Sequence, residues 1–206
     1  MKVRMRPNLL VVTAESDDER IELDNWLESR AGHAFALTRQ DPQTMRFADL
    51  GTIADACREP LNITSQSADP RLQLISNFAH TPFELAGLEY ASVEAFWQGL
   101  KYPAEKQRRE IALLHGRDAR RTREAAPAAD RIEYQGSSIR VGTWEHWRLM
   151  ELACWAKFSQ HVEAQLALKS TGARPLEHRT RHDSQTIPGV IMADIWMKVR
   201  GKLAKQ

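Results

Sequence analysis

The sequence predicts an α+β protein, mostly helical with a few short strands, carrying a small α/β appendage at its N-terminus. Three observations predict it. Apolar residues recur at helical spacing from Thr143 to Phe158 and again from Pro188 to Leu203. Short runs on either side of Ala86-Gly87 and Gln135-Gly136 read as hairpins, because a two-residue turn needs positive φ and glycine supplies it without strain. The opening stretch, residues 1–60, instead alternates strand-like and helix-like segments.

In that opening stretch, Leu9–Ala14 reads as a buried strand. Ser16-Asp17-Asp18 offers N-cap chemistry to a helix running to Arg30, with Ile21, Leu23, Trp26 and Leu27 at roughly helical spacing. Phe35–Thr38 and Met45–Leu50 read as strands, and Ile53–Cys57 as a short helix. Residues 1–60 form the appendage, near the lower size limit for independent folding, and residues 61–206 the main domain.

In the main domain, LNITSQS (Leu61–Ser67) and LQLISNFA (Leu72–Ala79) are predicted strands, followed by the Glu84–Tyr90 hairpin. Ser92 caps a helix that reaches about Tyr102, where Pro103 breaks it. A helix over Ala104–Leu114 closes at Gly116, read as its C′ residue. Glu124–Asp130 is linker-like, and Ile132–Val141 forms a second hairpin. Thr143 caps the long helix to about Phe158, and a further helix reaches Lys169 and stops at Thr171-Gly172. The last helix turns Ile191, Ile195, Met197 and Val199 inward.

Composition excludes more than it selects. The chain is 42% hydrophobic and 27% charged with a net charge of +2, so no global charge imbalance calls for nucleic acid or an anionic membrane. Basic residues do cluster locally, at Lys106, Arg108, Arg109, Arg117, Arg120, Arg121 and Arg123. That run reads either as a solvated surface or as a phosphate contact. Cys57 and Cys154 stand far apart and form no CxxC pair, which fits a reducing compartment and buried structural thiols. No segment reaches membrane-spanning length, and Leu9–Val12 is too short for a signal core, so a cytoplasmic location is expected.

The helix capped by Ser92 carries the pattern richest in chemistry. Glu94, Gln98 and Lys101 fall at i, i+4 and i+7 on one face, opposite Val93, Phe96, Trp97 and Leu100. Such a stripe lines a polar pocket or is a solvated helix face; spacing alone leaves both open. Glu94 sits in the first turn, where the helix dipole favours the ionised form, suited to a base or to facing positive charge. His178 and His182 are four residues apart beside Asp183, but Arg179 stands where a zinc-protease helix needs glutamate and no third histidine is near. No metal is expected. No GxGxxG, P-loop or GxSxG occurs, so dinucleotide redox, ATP and α/β-hydrolase chemistries have no support, and no cofactor is expected.

The segment SNFAHTPFELAGLEYASVEAFWQGLKY (Ser76–Tyr102) resembles the NADAR, or YbiA-like, family of N-glycosidases. Ser76-Asn77-Phe78, Glu94, Phe96-Trp97, Gln98 and Lys101-Tyr102 match in order and spacing. The resemblance continues through Gly116-Arg117-Asp118, Trp144, Met150, Lys157-Phe158, Thr171-Gly172, Leu176-Glu177-His178, Asp183 and Trp196-Met197-x-Val199-Arg200, covering about residues 61–203. It implies a YbiA-like fold and hydrolysis of a ribose C1′–N bond without metal or cofactor. The implied substrates are an ADP-ribosyl-guanine adduct, free or on nucleic acid, or a phosphorylated ribosylaminopyrimidine of the riboflavin-pathway type. By the family pattern Glu94 is the catalytic glutamate, Asp183 a second acid and Trp144 the stacking tryptophan. Asn77, Phe78, Gln98, Lys101 and Arg117 complete the binding set. The chain departs from the pattern at Ala95, in Asp183–Ile187 and at Val190-Ile191-Met192-Ala193. Those departures imply a changed substrate, or a nucleotide-binding module without turnover.

Overall fold

The computed structural model describes residues 1–6, 9–39, 45–52, 59–181 and 183–205. Near the N-terminus, β1 (Lys2–Arg6) pairs antiparallel with β2 (Leu9–Thr13). Helix α1 (Asp17–Arg30) follows, with Ser16 Oγ accepting from Glu19 N, and β3 (His33–Arg39) pairs antiparallel with β4 (Met45–Thr52). Strand β1 escaped the sequence reading because Lys2, Arg4 and Arg6 interrupt its apolar positions. The expected short helix at Ile53–Cys57 lies outside the described residues. Helix α1 buries none of its residues, and Ile21, Trp26 and Leu27 are exposed.

The core is built from Ile63 to Leu203. Strand β5 (Leu61–Asn62) pairs in parallel with β10 (Leu176–Glu177). Where a strand was expected from Leu72, the structure has helix α2 (Pro70–Ile75). Local chemistry accounts for the correction. Pro70 sits at the helix start, where its fixed φ fits, and the Asp69 side chain accepts from Arg71 N. Hairpin β6–β7 (Phe83–Leu85, Leu88–Tyr90) turns through Ala86 and Gly87, at φ 56° and 75°, as the sequence indicates.

Helix α3 (Val93–Gly99) is followed by α4 (Glu105–Ala112) and α5 (Gly116–Arg121), which runs into a 3₁₀ turn at Thr122–Glu124. Gly116 therefore opens a helix rather than closing one. Its φ of 57° and the bond from its N–H to Phe78 O redirect the chain into α5. Hairpin β8–β9 (Arg131–Tyr134, Ser137–Arg140) turns at Gln135-Gly136. Helices α6 (Trp144–Gln160), α7 (Val162–Lys169) and α8 (Gly189–Leu203) complete the domain. Helix α6 packs on α3, α7 and α8, burying Trp147, Met150, Cys154 and Phe158. On α8, Ile191, Ile195 and Val199 are buried and Met197 is half-buried. The mostly helical α+β architecture is the one predicted. No helix among the described residues is long and apolar enough to cross a membrane.

Candidate active site

The site begins with how α3 is anchored. Ser92 Oγ accepts from Ala95 N at 3.0 Å, capping the helix, and donates to Leu114 O at 3.1 Å. Glu94 N donates to Asn77 O at 2.9 Å, so the SNF segment satisfies a first-turn amide that the helix cannot. That segment is fixed from the far side of the core. Lys157 Nζ donates to Leu74 O, Ile75 O and Ser76 O at 2.7, 3.2 and 2.8 Å. Burial pushes Lys157 down to about 7, and the three carbonyls match the three N–H groups of an ammonium.

Along α3 the three polar side chains form one chain of hydrogen bonds. Gln98 Nε2 donates to Glu94 Oε1 at 2.7 Å, and Lys101 Nζ donates to Gln98 Oε1 at 2.6 Å. Glu94 is 6% exposed and Gln98 fully buried, so this is not a solvated helix face. Arg120, on α5, places Nη1 3.7 Å from Glu94 Oε1 and is itself 43% exposed. Both contacts use the same carboxylate oxygen, leaving Oε2 out of them.

The electrostatics reverse the expectation that the helix start would favour ionised Glu94. Burial raises its pKa, outweighing the Gln98 hydrogen bond and the charges of Arg120, Lys101 and Arg123, which act in the other direction. Burial likewise lowers the pKa of Lys101, against the attraction of Glu94. A carboxyl easier to protonate thus stands one hydrogen-bonded amide away from an amine easier to deprotonate, and burial narrows the gap between their proton affinities.

Beside this chain, the Trp97 and His146 rings stack with centroids 4.3 Å apart. His146 Nδ1 accepts from Gly142 N at 3.1 Å, which requires an unprotonated Nδ1. Burial and then the Lys101 charge hold its pKa at about 4. The Asn77 amide nitrogen lies 3.1 Å from Met192 Sδ and 3.7 Å from Met150 Sδ, tying the SNF turn to α6 and α8.

Phe78 and Arg117 lie on a cleft of about 560 Å³, with His80, Gln66 and Gln73 also in its walls. Helix α5 thus borders the cleft at one end and reaches Glu94 with Arg120 further along. Trp144 opens α6, where Lys198 Nζ lies 4.8 Å from its ring centroid. Asp183 Oδ1 accepts from Ser184 N and Gly189 N, both at 2.8 Å, and holds the start of α8. Space there is tight: a Cβ on Gly189 would stand 2.1 Å from His178 O. Asn77, Gln98 and Lys101 thus adjoin Glu94, while Trp144 meets Lys198 of α8 and Asp183 meets the loop and first residue of α8.

His182, one of the two histidines weighed as metal ligands, lies outside the described residues, as does Cys57. His178 Nδ1 bonds Ile63 O at 2.8 Å. Among the described residues no group of three or more His, Cys, Asp or Glu side chains is placed to hold a metal ion. Sequence reasoning gave no separate role to Arg120, His146 and Lys157. Arg120 was one cation in a basic run, and His146 and Lys157 lie on a long helix whose partners are distant in sequence.

No curated protein matches the chain. Among solved structures, the NMR structure of Escherichia coli YbiA matches with a TM-score of 0.52 at 22% identity, covering 74% of this chain and 90% of that one. The fold is therefore YbiA-like, as the sequence resemblance implies. The family model for bacteriophage protein GP30.3 matches residues 71–193, a span that includes Glu94, its hydrogen-bonded partners and Arg120. The chain belongs to the bacteriophage protein GP30.3 family.

Proposed function

We propose that the chain is an N-glycosidase that hydrolyses a ribose C1′–N bond, with Glu94 at the centre of the reaction. The observation that carries this reading is the hydrogen-bonded chain Glu94–Gln98–Lys101, buried at its first two members, with Arg120 beside Glu94. Breaking the C1′–N bond sends the electron pair to the departing base and leaves an oxocarbenium-like ribosyl cation. A carboxylate held away from water attracts that cation more strongly than an exposed one does. Glu94 then accepts a proton from the water that adds to C1′, and that proton is passed on to the departing base; the products are the free base and a ribose hydroxyl at C1′. Asp183 is assigned the assisting acid and Trp144 the stacking surface, as the NADAR pattern implies. Asn77, Phe78 and Arg117 are assigned to binding.

The substrate in this reading is an ADP-ribosyl-guanine adduct, free or on nucleic acid, or a phosphorylated ribosylaminopyrimidine. The protein is incubated with each class and the released base is followed by chromatography. Release by wild type and loss of release in Glu94→Gln is the expected result; turnover that survives Glu94→Gln overturns the mechanism. One observation favours a second reading, a nucleotide-binding module: Asp183 Oδ1 is already engaged by two backbone amides. Tight binding without turnover by the wild-type protein selects that reading.

A further inference from the structure

The charges around Glu94 do not balance. Arg120 Nη1 lies 3.7 Å from this one carboxylate and Lys101 reaches it through Gln98, with Arg123 one helical turn beyond Arg120. His146, the titratable group that faces Lys101 from α6, is held neutral by burial and by the Lys101 charge, with its Nδ1 accepting from Gly142 N. Asp118, the acid nearest in sequence on α5, faces Arg121 at 3.6 Å. The site therefore holds three cations against one anion, an arrangement that draws in an anionic group.

The Arg120–Glu94 contact has the geometry of a loose partnership. At 3.7 Å it is longer than a hydrogen bond, and it involves one guanidinium nitrogen rather than a paired fork. Arg120 is 43% exposed while the Glu94 side chain is 7% exposed, so the guanidinium can turn outward whereas the carboxylate is held by Gln98. A phosphate offers the guanidinium the two-pronged contact that Glu94 does not.

We propose that Arg120 is an exchangeable counter-ion: it covers Glu94 in the empty site and transfers to a phosphate of the incoming substrate, with Lys101 and Arg123 completing the anion's seat. Substrate binding then removes the cation from the carboxylate at the moment a positive ribosyl carbon needs it. Arg120 in this sense binds substrate and uncovers Glu94 in one movement. The inference rests on the proposed site, but its test is binding without turnover, so failure of the glycosidase reading is scored separately by base release.

The probe is ribose 5-phosphate, with ribose as the neutral control, titrated calorimetrically into wild type, Arg120→Ala, Arg120→Lys, Glu94→Gln and the Arg120→Ala/Glu94→Gln double variant. Circular dichroism verifies that each variant is folded. Wild type is expected to bind ribose 5-phosphate and not ribose. Arg120→Ala is expected to weaken binding about tenfold or more, with partial recovery in Arg120→Lys. Glu94→Gln removes the competitor, so affinity should rise about three- to tenfold, and most of that gain should vanish in the Arg120→Ala background. An equal gain in both backgrounds means that Glu94 acts by simple repulsion and overturns the exchange. Undiminished binding in Arg120→Ala overturns it as well.

Discussion

Gln98 Nε2 donates to Glu94 Oε1 at 2.7 Å with both side chains buried, so the carboxylate keeps its position while paying for its own ionisation. Because folding raises the pKa of Glu94, its stabilising contribution is full at acid pH and is lost as pH rises through the folded-state value. Glu94→Gln keeps an amide that can bond Gln98 and has no ionisation to suffer. Its Tm at neutral pH is expected to equal or exceed wild type, with the gap narrowing on acidification, while base release falls about 100-fold or more. Thermal melts at several pH values, run beside the release assay, check both parts.

His146 gives the opposite pH signature. A histidine held at about 4 in the fold but near its model value of 6.5 when unfolded stabilises the protein above that range and loses the benefit as pH falls through it. His146→Gln removes the liability. Denaturant titrations from pH 7 to pH 4 should show the wild type losing about 3 kcal/mol more than the variant over that interval.

Lys157→Met tests the internal tether. Removing the amine leaves the carbonyls of Leu74, Ile75 and Ser76 without their shared donor in a dry interior. A loss of about 1–3 kcal/mol is expected from leaving buried acceptors without their donor. Urea unfolding measures it, and a loss under about 1 kcal/mol would show that water or a rearranged turn takes over the carbonyls.

At the start of α8, Gly189→Ala drives a methyl into His178 O, a backbone atom that cannot swing aside. A destabilisation of about 3 kcal/mol or more is expected. Asp183→Asn preserves the oxygen that accepts from Ser184 and Gly189, so its Tm should stay within a degree or two of wild type. Asp183→Ala should cost about 1 kcal/mol, as other lost caps do. The three melts together separate the loop's geometry from any chemical role of the carboxyl.

The legible parts of the fold were those specified within a few residues. The turns at Ala86-Gly87 and Gln135-Gly136, the caps at Ser16 and Ser92 and the α8 periodicity all carry their signal locally. Helix α2 is obscured because the apolar–polar alternation of Leu72-Gln73-Leu74 imitates a strand despite the Asp69-Pro70 start signal, and its last carbonyls are satisfied by Lys157, more than 80 residues away in sequence. The same distance hid the character of the site. Spacing put Glu94, Gln98 and Lys101 on one stripe, but α5 and α6 decide whether that stripe meets water. The identity of the stripe was readable, its dryness was not, and Arg120 was indistinguishable from its basic neighbours until the helix placed it.

The Lys157 tether also turns the protein into its own clock. An amine enclosed by three carbonyls meets an acylating reagent only when the SNF turn and α6 part company, whereas surface lysines react at once. The labelling rate of this one side chain, followed by mass spectrometry, therefore times the breathing of the turn that anchors the first turn of the Glu94 helix.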